Sequence, residues 1–312
     1  MSSDIFDRRE FLAASLVPAA VAPLLAGQNQ LAVAAPGGST APAEGPPGII
    51  DTNVHLFEWP FRRLKYGQTP ALVAKMKNHR IAEAWVGSFQ ALLHKNLDAV
   101  NARLVEECRA QGAGILRPFG SVCPVWPGWE EDFRRCHEVY KMPGIRLHPS
   151  YHNYRLDRPE FAQLLAGAAE RNLLVQIVIE LEDARVHHPV VTTPAVDAAP
   201  LTAALKKVPR ARVQLLNGLT ALGAAGLLAE TNVAFDVANF EGAGAVGRLI
   251  DGKHWSNKAQ VPLARLVFGS HAPFFPYEAA LLRLFEAPLD REQLVAIMHG
   301  NAQQLAKEGF FP

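Results

Sequence analysis

The side chains that could do chemistry fall in a few short strings: Asp51-Thr52-Asn53-Val54-His55, Arg146-Leu147-His148, Glu180-Leu181-Glu182-Asp183, Asn217, and Gly269-Ser270-His271. Each sits in or closes an apolar run. Asp51, Asn53 and His55 alternate, so an extended chain puts them on one face. An interior Asp, Asn and His must find partners or be costly, so they either orient a substrate or form a hydrogen-bonded network. His271 carries an imidazole that can act as general base, general acid or ligand near neutrality. Ser270 beside it looks like a nucleophile next to its base, but strand neighbours face opposite ways. Arg146 and His148 share a face and could clamp a carboxylate or steady an oxyanion; an ion pair of Arg146 with Asp51 or Glu180 is the structural alternative. Glu180, Glu182 and Asp183 could hold water or a cation. His187 and His188 are adjacent and diverge. Asn217 could hold a substrate carbonyl or serve a turn, and Asp236 and Asn239 close the next run.

These strings need a scaffold that brings strand ends together. From Gly48 on, short apolar runs alternate with stretches of helical length. The predicted strands are 49–56, 83–89, 115–122, 144–148, 173–179, 212–216, 233–238 and 266–269. Most are continuously apolar, as parallel strands covered on both faces are. Predicted helices over 70–79, 97–112, 129–140, 159–171, 200–208, 221–231, 245–254, 277–285 and 290–307 fill the gaps. Many open on a proline or an acidic residue. Eight such units predict a single-domain (β/α)₈ TIM barrel, an α/β fold whose site lies at the carboxyl ends of the strands. A doubly wound open sheet is the second choice.

The remainder of the chain sets bounds. The 312 residues are 49% hydrophobic and 20% charged with a net charge of +1, which gives no electrostatic case for nucleic acid or an anionic membrane. Residues 1–35 read as a signal peptide: Arg8-Arg9, an apolar run from Phe11 to Gly27, and Ala32-Val33-Ala34 as a cleavage pattern. Asp7-Arg8-Arg9-Glu10-Phe11-Leu12 is similar to the twin-arginine export motif. Export would place the mature protein in the periplasm or outside a bacterial cell, with no stable membrane insertion after cleavage. Residues 36–47 read as a flexible linker. Cys108, Cys123 and Cys136 show neither a staple nor a zinc spacing and are read as buried thiols. Gly242-Ala243-Gly244-Ala245-Val246-Gly247 fits the letters of a dinucleotide motif but comes late in the chain, so tight-turn glycines are the simpler reading. Trp59, Trp126, Trp129, Phe57 and Phe61 could line an apolar pocket, with Arg62 and Arg63 nearby for an anionic substrate; Trp85 is assigned to the core.

Taken together, Ile50-Asp51-Thr52-Asn53-Val54-His55, Gly144-Ile145-Arg146-Leu147-His148-Pro149, Val267-Phe268-Gly269-Ser270-His271-Ala272-Pro273-Phe274 and Gly300-Asn301-Ala302 carry a family resemblance. The chain resembles the amidohydrolase-related families, in the branch of aminocarboxymuconate-semialdehyde decarboxylase-like proteins. The resemblance runs from about Gly48 to Lys307. It implies the barrel, and it implies a metal held by His-x-His on strand one, a His on each of strands five and six, and an Asp on strand eight. Here those positions read Asn53-x-His55, Val178, Asn217 and His271. A catalytic zinc needs three good protein ligands, so no cofactor is expected, with a single divalent metal such as zinc on His55, His271 and Glu180 or Asp183 as the fallback. Some relatives hydrolyse lactones without a metal, which the resemblance leaves open here.

The leading expectation is an exported hydrolase for a small carboxylated or cyclic ester, lactone or amide. His271 is the general base. His55, Arg146 and His148 complete the catalytic set, and Asn53, Glu180, Asp183 and Asn217 bind substrate. The alternatives are a hydrolase or decarboxylase with a rebuilt mononuclear metal site, and a non-catalytic ligand-binding barrel. The expected partner is a small molecule, and a homo-oligomer is compatible with the sequence.

Overall fold

The computed structural model describes residues 47–253 and 259–307; the signal-peptide reading of 1–35 and nearly all of the linker lie outside them, as does the end of the 245–254 helix. A compact unit of contacts begins at Gly48. Its eight strands are β1 (Ile49–Leu56), β2 (Ile81–Ser88), β3 (Leu116–Pro118), β4 (Gly144–Leu147), β5 (Leu174–Val178), β6 (Arg212–Leu216), β7 (Ala234–Asp236) and β8 (Leu266–Val267). Every pairing is parallel.

The strands form two arcs, β1-β2-β3 and β4-β5-β6-β7-β8. Single bridges join them at both seams, Gly120 to Ile145 and Val54 to Ala272. Backbone bonds Arg146 N to Gly120 O (2.7 Å), Thr52 N to Phe268 O (2.9 Å) and His55 N to Ala272 O (2.9 Å) complete the ring of a TIM barrel. All of β1, β4 and β5 is buried, as continuous apolar runs predict.

Two helical expectations change. The stretch 221–231 is not one helix: it splits into a 3₁₀ turn, Leu219–Gly223, and a single turn, Leu227–Glu230. Gly226 between them takes φ +72°, which an α-helix does not accommodate. The closing helix over 290–307 carries a π turn at Ala296–Gly300. The carbonyl of Ile297 there accepts the Phe268 N–H at 2.8 Å, tying the closing helix to the end of β8.

Candidate active site

The register of the second arc places Arg146 opposite Gln176 and Gln176 opposite Gln214. Their side chains meet inside the barrel. Arg146 Nε donates to Gln176 Oε1 at 2.8 Å, and Gln176 Nε2 donates to Gln214 Oε1 at 2.9 Å. Gln214 Nε2 donates to Thr52 Oγ1 at 2.7 Å. Arg146 also donates through Nη1 to Val54 O (2.6 Å) and through Nη2 to Trp85 O (2.9 Å), with no exposure at all. Burial lowers its pKa to about 9, against the pull of Asp236 and Asp51. This corrects the expected clamp: the guanidinium is committed to the barrel's own carbonyls. Gln176 and Gln214 were not singled out from the sequence; a Gln at matched positions of two apolar strands was the available signal.

Above this layer lies a second one. Asn53 Nδ2 donates to Asn217 Oδ1 (3.0 Å) and Asp236 Oδ2 (2.6 Å). The Asn217 N–H donates to Asp236 Oδ1 at 3.1 Å. Asn217 sits at φ +53°, a left-handed conformation that Asn tolerates better than most residues. Its Nδ2 donates to the Glu180 carbonyl at 2.7 Å and lies 3.3 Å from the His271 ring nitrogens. Burial pushes Asp236 up to about 7 and Asp51 up to about 6. Ser270 Oγ donates to Asp51 Oδ2 at 2.5 Å, so Ser270 is turned away from the mouth, as strand alternation predicts. Asn53 thus organises the layer rather than reaching a substrate.

Three histidines stand at the mouth. His271 and His55 come together edge to face, with ring centroids 5.7 Å apart. His271 Nε2 lies 2.7 Å from the Leu181 carbonyl, so that nitrogen carries the proton and donates. Burial pulls its pKa down to about 4. His55 stacks on Phe89 at 4.8 Å and 7°. Its Nε2 is 3.4 Å from Arg146 Nη1 and acts as acceptor, while Nδ1 has no protein partner. His148 is 1% exposed and neither ring nitrogen has a protein partner. Burial holds both His55 and His148 well below the usual histidine range; Arg146 is the next cause for His55, and His152 for His148.

A cavity of about 160 Å³ opens at the mouth, with Glu180, Asp183, Asn217 and His271 in its wall. Glu182 and Glu241 line it too. Glu182 is paired with Arg62 at 2.8 Å, and Asp183 with Arg185. Burial raises Glu180, with Asp183 adding to it. Of the expected site residues, His271, Asn217, Glu180 and Asp183 share this cavity. His148 lies in a neighbouring space of about 10 Å³ that also touches Glu180. His55 is covered, and Asn53 and Arg146 lie beneath.

The roof is aromatic. Trp59 packs on Phe89 and Phe274, each at 5.5 Å, and on Phe61 at 5.2 Å. Trp126 instead covers His152, Trp129 sits by Phe133, and Phe57 lies under Arg103. Arg62 is occupied by Glu182 and the Phe274 face. Trp85 is in the core against Phe119, as expected. His187 bonds the Glu182 carbonyl while His188 stacks on Phe61, so the pair does diverge. Gly242 and Gly244 take positive φ and Gly247 packs on Pro288, which is turn and packing work. The three cysteines are free and buried.

A divalent ion does not fit these donors as arranged. Among the described residues no group of three or more His, Cys, Asp or Glu is placed to hold one. His271 Nε2 is spent on Leu181, His55 Nε2 faces a guanidinium, and the Asn53 amide nitrogen is spent on Asn217 and Asp236. A cation at His55 would sit beside the Arg146 charge.

Comparison with known proteins gives the following. A protein-family profile described as amidohydrolase matches residues 50–215. No curated protein sequence matches. Among solved structures, 2,6-dihydroxybenzoate decarboxylase from Rhizobium superposes with a TM-score of 0.61 at 13% identity, covering 83% of this chain and 98% of that one. Dihydroxybenzoic acid decarboxylase from Polaromonas sp., with bound manganese and the inhibitor 2-nitroresorcinol, gives 0.64 at 15% identity over 83% and 96%. 5-Carboxyvanillate decarboxylase from Sphingomonas paucimobilis gives 0.60 at 12% identity over 84% and 99%. At these identities the likeness is one of fold.

Proposed function

The chain belongs to the amidohydrolase family, and from that premise we propose an enzyme in which neutral His271 moves a proton at a small organic substrate in the barrel mouth. One observation carries this reading. His271 Nε2–H is fixed on the Leu181 carbonyl, which leaves Nδ1, 3.3 Å from the Asn217 amide, as the basic nitrogen of a ring in the wall of the 160 Å³ cavity. With its pKa near 4, the ring is unprotonated at neutral pH and ready to accept a proton.

Decarboxylation is the reaction that the solved neighbours support, since their descriptions name decarboxylases of hydroxylated aromatic acids. His271 would take the proton of a substrate hydroxyl and return it to the carbon that bears the carboxylate. The C–C bond then breaks, CO₂ leaves with its electron pair left on the ring, and the resulting phenolate takes a proton from solvent. The mouth itself supports a second reading, hydrolysis of a neutral ester, lactone or amide. Glu180 and Glu241 line the cavity with no Lys or Arg in its wall, and the His271 there is neutral, a setting that disfavours an anionic substrate. There His271 would deprotonate the attacking water.

Manganese in a neighbour makes metal content part of the test, against the sequence expectation of none. The experiment measures CO₂ release from 2,6-dihydroxybenzoate and acid release from a γ-lactone and an aryl ester, each with and without added Mn²⁺. His271→Ala is run in parallel and metal content is measured on both proteins. Turnover of one class that falls by roughly 10²-fold or more in the variant, with folding intact, supports the reading. Turnover unchanged in His271→Ala removes it.

A further inference from the structure

The loop after β5 closes on itself: Val196 N donates to Ile179 O at 2.8 Å, so residues 180–195 form a loop with joined ends. Apart from the short turn Ala184–Val186 it has no regular structure. Its root is anchored: Asn217 Nδ2 donates to Glu180 O and His271 Nε2–H to Leu181 O, each at 2.7 Å. Beyond Leu181 few ties hold it down. Ser150 Oγ donates to Pro194 O at 2.6 Å, His188 stacks on Phe61 at 4.9 Å, and Glu182 meets Arg62. Val186 and Val190 point outward, 53% and 78% exposed.

This loop is the partition between three spaces. Glu180, Glu182 and Asp183 wall the 160 Å³ mouth; Thr193 and Pro194 wall the 10 Å³ space at His148; Pro194 and Ala195 wall an outer cavity of about 530 Å³ beside Ser150 and Tyr154. Behind it are polar groups without protein partners, the two ring nitrogens of His148. Enclosing such groups costs about 1–3 kcal/mol each, a cost that is removed once water or a ligand reaches them.

We infer that residues 182–195 are a lid, rooted at the anchored Glu180 and Leu181 and latched by Ser150 on Pro194, and that the outer cavity is the distal part of the same substrate site. Lifting the loop joins the three spaces into one. They then accept a small, elongated organic molecule, its reactive end at His148 and His271 and its far end beside Ser150 and Tyr154. The inference rests on the barrel mouth being the site, but access can be measured without turnover.

The probe is diethyl pyrocarbonate, which carbethoxylates neutral imidazoles, with labelling at His148 read by peptide mass spectrometry on the full chain. Exposed His94 serves as the internal reference, and the buried thiol of Cys136 reports global unfolding through a disulfide reagent. The lid predicts that His148 labels slowly in the native protein and several-fold faster in Ser150→Ala. In the oxidised double variant Ser150→Cys/Pro194→Cys it labels at least tenfold slower, and dithiothreitol restores the rate. Equal rates in all forms, no labelling of His148 while His94 reacts, or His148 reacting only in step with Cys136 each overturn it. An enzyme with a fixed loop fails only this inference; a moving loop on an inactive barrel fails only the functional reading.

Discussion

A histidine kept neutral by burial behaves as a base and also as a pH-dependent weak point. The His271 pKa falls from the ordinary 6.5 to about 4 in the folded chain. Between those values the unfolded chain holds a proton that the folded chain does not, so stability is complete above about pH 6.5 and is lost as the pH falls towards 4. Asp51 and Asp236 run the other way: raised to about 6 and about 7, they contribute stability at low pH that is lost as the pH rises through those values. His271→Gln is therefore expected to flatten the acid side of a pH–stability curve by denaturant melts, on the order of 3 kcal/mol at most, and an unchanged slope would contradict it. Arg146 makes a different prediction. Its Nε, Nη1 and Nη2 bond groups of the barrel, so Arg146→Ala leaves buried acceptors and a cavity and should destabilise by roughly 3–5 kcal/mol in urea. A substrate clamp would instead raise KM at unchanged stability. The place of His271 was legible in the sequence; the shared face of Asp51, Asn53 and His55 was not, because a register shift between Asp51 and Val54 turns Asp51 to Ser270 while Thr52 meets Gln214. The target of Arg146 was not, because which carbonyls it meets depends on register between strands far apart in the chain.

At the scale of elements, the strands were the more legible. Eight apolar runs became eight strands: β1 and β6 keep their expected bounds, β2 begins two residues earlier, and the others are shorter. Strand β8 is only Leu266–Val267, although the apolar run continues, and beyond it the chain meets β1 at isolated points, Phe268 O with Thr52 N and the Val54–Ala272 bridge. A Cβ on Gly269 would stand 2.7 Å from the Asp236 Cβ and 3.0 Å from that of Asn53. Both neighbours are fixed in the Asn53–Asp236 bond, so Gly269→Ala should cost about 1–3 kcal/mol and displace Asn53. A calorimetric melt would show the loss, and a melt equal to wild type would mean that the layer yields freely. The misread helix at 221–231 has a local cause too. Its apolar spacing fits a helix, but Gly223 and Gly226 lie inside it, and at Gly226 the backbone goes left-handed.

For the whole molecule, fold and chemistry were unequally written in the sequence. Apolar periodicity reports the barrel because burial is a property of each run by itself. The lid depends on how loops from different units meet, and no local pattern encodes that, whereas three of the mouth's carboxylates, Glu180, Glu182 and Asp183, stand in one legible string. We propose that the unit from Gly48 is what leaves the cell by the twin-arginine route, a reading that rests on residues outside the described structure. No described helix is long and apolar enough to cross a membrane.

The division of the ring into an arc of three strands and an arc of five also sets an order of events in time. Within each arc, paired strands are neighbours in sequence. The β8–β1 seam instead joins Thr52 to Phe268 across 216 residues. Contacts of long range are entropically late, so the ring should close after both arcs have formed. Thr52→Val removes the hydroxyl that donates to Phe268 O and accepts from Gln214. In stopped-flow experiments it should speed unfolding and leave the refolding rate nearly unchanged. Slower refolding would make the seam the seed of the barrel rather than its clasp.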